Sequence, residues 1–281
     1  MNMPETSSTQ GPLAKLIAHF DGQVRYALPV GEQRIVLDTR VGSLLRMQFL
    51  GEIRCCACGR VTKKSFQQGY CYPCSQRLAA CDICIVKPER CHFAAGTCRE
   101  PEWAQSHCMQ PHIVYLANSS GLKVGVTRQS QLPVRWLDQG ARQALPLFRT
   151  VNRHVAGLLE VHLAETLADK TDWRRLLRGD AERLDLQLLR AEVTAHAQSE
   201  VETLRRRFGE SAVQDITPAQ VSEFAYPVQA YPQKIRSLSL DTTPQVEGEL
   251  KGIKGQYLLF GDAVLNIRKH TGYVVEVSVA S

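Results

Sequence analysis

All ten cysteines of this 281-residue chain lie between Cys55 and Cys108. That crowding is the strongest constraint the sequence places on its fold. A stretch rich in thiols, proline and short turns lacks the apolar periodicity of a self-sufficient core, so its structure is set by what the thiols bind. The run "CCACGRVTKKSFQQGYCYPC" contains Cys55-x-x-Cys58 and Cys71-x-x-Cys74. Two such pairs about a dozen residues apart form the frame of a zinc ribbon. Each pair grips the ion through a tight knuckle, and Gly59 follows the first, where backbone freedom is useful. Four thiolates leave zinc no open position, so the site is expected to be structural. Cys56 competes with Cys55 for one ligand place. Downstream, "CDICIVKPERCHFAAGTCREPEWAQSHC" offers Cys81-x-x-Cys84, then Cys91, Cys98 and Cys108, with His92 and His107 beside them. A second zinc is expected there, with an iron–sulfur cluster as the alternative. Its ligands stay open, because the later spacings match no single knuckle.

The start, "MNMPETSSTQGP", carries an acid and no apolar core, which is not the pattern of an export signal. No apolar run approaches the roughly 18–20 residues of a membrane span. The expectation is a protein of the reducing cytoplasm, where metal ligation is favoured over disulfides. The apolar fraction of 44% with 22% charged residues is that of a folded chain, which excludes general disorder. Lys and Arg exceed Asp and Glu by 34 to 28, a balance that permits an acidic partner without requiring one.

Along the chain, residues 1–20 read as a disordered leader. Residues 21–54 read as β-rich, with "QVRYALPV", "QRIVLDT" and "LLRMQFLGEI" broken at Gly31 and Gly42. The cysteine-rich zinc module spans 55–110, a small αβ domain 111–180, and a helical segment 181–225. In that segment Leu184, Leu188, Val201, Leu204 and Phe208 mark an amphipathic helix ending near Gly209. Residues 226–281 return to β, with a Gly261-Asp262 hairpin and a further strand. The fold class is therefore α+β. Neither flanking β segment is large enough for a comfortable core alone, so the two are expected to pack together.

"HIVYLANSSGLKVGVTR", His112 to Arg128, predicts a β-hairpin whose first strand is buried on both faces. Gly125 interrupts the second strand and marks a place where something approaches the backbone closely. "QLPVRWLDQGARQAL" predicts a helix from about Pro133, with Arg135 in its first turn, where an arginine can meet a phosphate. A second helix is expected over about 151–169, with Val155, Leu158, Leu159, Leu163 and Thr166 as its apolar stripe and Glu160 off it among small neighbours.

Tyr115 in "IVY", the "KVG" ending at Gly125, Arg135 and Glu160 together resemble the GIY-YIG nuclease superfamily over about sixty residues. The likeness is to a divergent branch whose second motif begins with Lys, here Lys123, where Tyr is usual. The resemblance implies a small αβ domain cutting phosphodiester bonds with one Mg²⁺ or Mn²⁺ ion. It gives Tyr115 a role at the attacking water, Arg135 at the phosphate and Glu160 at the metal. A phenol can activate water if nearby cations lower its pKa, with Lys123 the candidate cation. At whole-chain level the strings "KKSFQQGYCYPC", "GTCREPEW", "VYLANSSGLKVGVTR", "DKTDWR" and "LNIRKHTGY" are similar to a bacterial family of unknown function.

Three clusters set cations beside aromatics and suggest nucleic acid, DNA or RNA, as partner. Lys63 and Lys64 stand near Phe66 and Tyr70; Lys170, Trp173 and Arg174 lie in "DKTDWRRLLRG"; the third is "NIRKHTGY". Arg128 closes the hairpin's second strand. The leading expectation is a zinc-stabilised nucleic-acid-processing protein with a GIY-YIG-like endonuclease site. A non-catalytic zinc-dependent binder of DNA or RNA is the alternative, and a redox or metal-responsive switch at Cys81–Cys108 a third class.

Overall fold

The computed structural model describes residues 8–165, 167, 172–179 and 181–280. It is an α+β protein in which three sheets share one core and a fourth is sandwiched between that core and two helices. Among the described residues no helix is long and apolar enough to cross a membrane.

The two ends of the chain are one body. Strand Tyr273–Val279 lies antiparallel between Ser8–Pro12 and Leu44–Arg54, and Gln245–Glu249 extends the far side of Leu44–Arg54. A meander of Ile17–Phe20, Val24–Val30 and Gln33–Val36 forms a second sheet. Strands Arg236–Leu238, Gly252–Lys254, Tyr257–Phe260 and Ala263–Asn266 form a third, with the hairpin turn at Gly261, whose φ is +62°. Leu28, Leu45, Met47, Leu258, Leu265 and Val277 from these sheets meet in one fully buried cluster. The expected packing of the flanking segments is what the pairing gives. The leader is shorter than expected, because Ser8–Pro12 and Ile17–Phe20 are strands. "STQGP" has no apolar alternation to announce it; backbone pairing with Tyr273–Val279 supplies its order. The part of that leader at residues 1–7 lies outside the described residues.

The central sheet runs Val213–Asp215, Gln143–Thr150, His112–Asn118, Leu122–Arg128, with Ser222–Glu223 also on Gln143–Thr150. All seven residues of His112–Asn118 are buried, as its continuous apolar pattern predicts. Ile113, Tyr115 and Ala117 face the shared core, while Val114 and Leu116 face the helices. Helix Arg153–Ala164 contributes Val155, Leu159 and Leu163 to that second layer. Helix Leu186–Phe208 contributes Val193, Ala197, Val201 and Leu204, spaced for one helical face. Asn152 caps the first helix by accepting from the Val155 N–H at 3.0 Å, and Asp185 caps the second through the N–H groups of Gln187 and Leu188. Gly209, at φ +98°, ends the second. Thr166 of the expected stripe lies outside the described residues.

The helix expected from Pro133 is only Val134–Asp138, and "QALPLFRT" behind it is strand Gln143–Thr150. Pro146 disguised this strand, since proline argues against a central position. It is tolerated here because the register shifts between Val114 and Tyr115, opposite it. The segment 181–225 likewise adds two short strands to the central sheet rather than standing apart as helix.

Candidate functional site

The knuckles place Cys55, Cys58, Cys71 and Cys74 with their sulfurs within 4.8 Å of one another. Cys58 and Cys71 Sγ are 3.8 Å apart. A zinc–sulfur bond of about 2.3 Å gives a tetrahedron whose edge is about 3.8 Å, so the spacing fits zinc. The four cysteines can hold one ion. Gly59 adopts φ +72° and its N–H closes the first knuckle on the Cys55 carbonyl at 2.9 Å. Burial pushes the Cys55 thiol up, but the N–H groups of Cys71, Cys58 and Ala57 outweigh burial and bring it down to about 6. The rivalry within the doubled cysteine resolves here: Cys55 is buried in the set, while Cys56 is exposed and outside it.

The second group of thiols divides. Cys81 is buried on the side of the first knuckle, where burial and then Cys56 push its thiol up to about 11. Cys84, Cys91, Cys98 and Cys108 line a separate small cavity together with Asp82 and His92. Cys81-x-x-Cys84 is therefore not a knuckle, because the turn at Ala79–Cys81 and the helix Ile83–Val86 send the two thiols apart.

Beside the central sheet lies an open cleft of about 620 Å³. One wall is the strand Leu122–Arg128, an edge of its sheet, which presents Lys123, Gly125 and Arg128. Arg135 and Asp138 come from helix Val134–Asp138, and Arg153 and Glu160 from helix Arg153–Ala164. Ile85 and Val86, at the end of helix Ile83–Val86 in the cysteine-rich region, and Pro88 after it close another side. Lys15 and Arg268 reach in from opposite ends of the chain. Six cations thus face two carboxylates. Asp138 is already engaged, accepting from Lys15 Nζ at 2.7 Å and from Gln256 Nε2 at 2.9 Å.

Tyr115 lies beneath this cleft, fully buried, with its ring edge-on to Trp136 at 5.8 Å. It is the group that approaches Gly125: a Cβ there would stand 2.8 Å from the phenol oxygen. The Gln139 amide nitrogen donates to that oxygen at 2.9 Å, while its carbonyl accepts from Arg135 Nη2 at 3.2 Å and Nε at 3.3 Å. Burial raises the phenol's pKa, and the opposing effect of Arg135 does not overcome it. The expectation that cations lower this phenol is corrected: desolvation wins, and Tyr115 stays protonated. The perturbed base is Lys123, 5% exposed, which burial and then Arg135 bring down to about 8, with Glu160 partly opposing.

The structure therefore gathers Tyr115, Lys123, Arg128, Arg135 and Glu160 at one place. The other candidate cations lie elsewhere. Lys63 and Lys64 are absent from the cleft walls, and Lys64 Nζ sits over its own neighbour Phe66 at 5.6 Å. Trp173 is half-buried, its ring parallel to Tyr257 at 6.3 Å and its π-face met by Arg174 at 4.5 Å, and it is absent from the cleft walls. Lys170 lies outside the described residues. Sequence reasoning missed Lys15, Gln139 and Arg153, and noted Arg268 only within a basic cluster. Of these, "NIRKH" alone carried a signal.

Comparison with curated proteins and with solved structures finds no match. A family model does match, over residues 42–275, taking in both cysteine groups and all of the cleft except Lys15: the chain belongs to the family described as Protein of unknown function (DUF2797).

Proposed function

We propose that the cleft binds the phosphodiester backbone of a nucleic acid and hydrolyses it with the help of a divalent cation. The observation that carries this reading is the excess of cations over carboxylates on the cleft walls, drawn from four separated parts of the chain. Such walls focus positive potential where a polyanion would lie. The likeness of the hairpin and its two following helices to the GIY-YIG superfamily points the same way. Arg135, steadied by Gln139, is the group to contact a phosphate oxygen. Glu160 is the carboxylate that would hold Mg²⁺ or Mn²⁺, and such an ion supplies Lewis-acid polarisation and water activation. Tyr115 acts here as a positioning residue, holding Gln139 and through it Arg135.

A second reading has its own support. With Tyr115 buried and protonated, the cleft walls carry two carboxylates, Asp138 and Glu160, against six cations, and a zinc-stabilised binder needs no more than those cations. The test uses the full zinc-loaded chain with branched DNA, single-stranded DNA and structured RNA, with and without added Mg²⁺ or Mn²⁺. Cleavage that needs the added ion and is lost in Glu160→Gln and Arg135→Ala supports hydrolysis. Binding without cleavage, unchanged in Glu160→Gln but weakened in Arg135→Ala, supports the binder. Neither binding nor cleavage overturns both.

A further inference from the structure

We propose that Cys84, Cys91, Cys98 and Cys108 bind a second zinc ion, set between the first knuckle and the helix that carries Glu160. The four thiols come from separate turns yet all line one cavity. Its volume is about 10 Å³, the scale of one ion rather than of an organic ligand or a multi-iron cluster. The remaining lining is largely apolar, including Ile85, Phe93, Trp103 and Ala104. Residues 81–110 hold only short helices and turns, so a metal is the natural cross-link for the segment.

A rival ligand set exists. Asp82, Cys84 and His92 have ligand atoms within 4.8 Å of one another, whereas no three of the four thiols meet that spacing. The rival's polar groups are already paired among themselves. The Asp82 carboxylate is 2.7 Å from Arg99 Nε and 3.3 Å from His92 Nε2, while His92 Nδ1 is 2.8 Å from Thr97 Oγ1. Ligation by His92 would break its contact with Asp82 or with Thr97, and that set supplies three ligands where a structural zinc takes four. Ligation by the thiols breaks none of these contacts, and requires the four sulfurs to close in on the cavity they line. A tetrathiolate centre carries net negative charge, and Arg153 and Arg128 lie within electrostatic reach of Cys108 to balance it. Arg153 is tied to the same loops, its backbone N–H donating to the Cys108 carbonyl at 2.8 Å and its guanidinium to the Ile85 carbonyl. The second ion would thereby fix one wall of the cleft and one of its cations.

The experiment is metal analysis of the full chain, purified without chelator, with X-ray absorption at the zinc edge. The expected result is two zinc ions per chain with an all-sulfur shell near 2.3 Å, the usual zinc–thiolate length. The Cys84→Ser/Cys98→Ser variant should fall to one zinc, while Asp82→Asn, His92→Gln, Cys56→Ser and Cys81→Ser keep two. One zinc in the wild type, nitrogen or oxygen in the shell, iron in place of zinc, or loss of an ion in Asp82→Asn or His92→Gln would each overturn the assignment. The wild-type spectrum keeps the proposal testable even where the double variant fails to fold.

Discussion

Gly157 sits mid-helix in Arg153–Ala164, where replacing glycine by alanine ordinarily stabilises by about 1 kcal/mol. Here the sign should reverse. A Cβ at residue 157 would stand 2.4 Å from Pro88 Cβ, 2.6 Å from Glu89 N and 2.7 Å from Pro88 C. Comfortable contact is about 3.5–4.0 Å, so the helix and the Pro88 turn must separate by about 1 Å. Two of the three opposing atoms are backbone, so no rotamer change relieves the clash. Overpacking costs about 1–3 kcal/mol, and a backbone clash belongs at the upper end. Subtracting the helix gain leaves about 2 kcal/mol of destabilisation, about 30-fold in the unfolding equilibrium. Urea unfolding of the zinc-loaded chain should show a midpoint about 0.7 M lower, for a slope of about 3 kcal/mol/M. Pro88→Gly should not rescue Gly157→Ala, because the backbone atoms at 2.6 and 2.7 Å remain. A Gly157→Ala protein as stable as wild type, or more so, would show that the cysteine-rich turn does not press on this helix.

Lys123 has a folded pKa near 8 against an ordinary value of 10.5, so the folded state binds fewer protons than the unfolded chain between those values. Its penalty is fully present below about pH 8 and fades as pH rises toward about 10.5, about 3 kcal/mol in all; the stability of Lys123→Met relative to wild type should therefore decline across that window, and a pH-independent difference would refute it. Tyr115→Phe leaves the Gln139 amide a donor short of a buried partner and should cost about 1–2 kcal/mol in thermal or urea unfolding without changing zinc content. Arg268→Ala should lower affinity for duplex DNA and reduce the slope of log K against log salt by about 0.9, the share of one phosphate contact. Stripping zinc should make residues 55–110 protease-sensitive while the β-rich core keeps its circular dichroism. The small cluster of Cys55, Cys71, Cys74, Tyr70 and Leu78 cannot replace the about 10–16 kcal/mol a structural zinc supplies.

What was legible in the sequence is what one turn or one strand decides alone. The cysteine set that can hold an ion could be read because each pair of thiols sits in a single knuckle, and the buried strand His112–Asn118 because its apolar run is unbroken. The same local rule misleads at Cys81 and Cys84, where identical spacing straddles a change of direction at Asp82. The cleft is less legible still, since its walls include Lys15 and Arg268, brought together only when the first and last strands pair. Trp173 makes the point most sharply. Its neighbours Lys170, Arg174 and Arg175 give it the look of a stacking platform in the sequence. Where an aromatic stands, however, is decided by what packs beside it, and here that is Tyr257, far along the chain in the C-terminal hairpin, which holds Trp173 away from the cleft walls. A basic-aromatic cluster in sequence therefore reports composition, while accessibility belongs to the fold. The cations that the fold brings to one cleft, Arg135, Arg153 and Arg268 among them, come from stretches with no aromatic interleaving pattern in common.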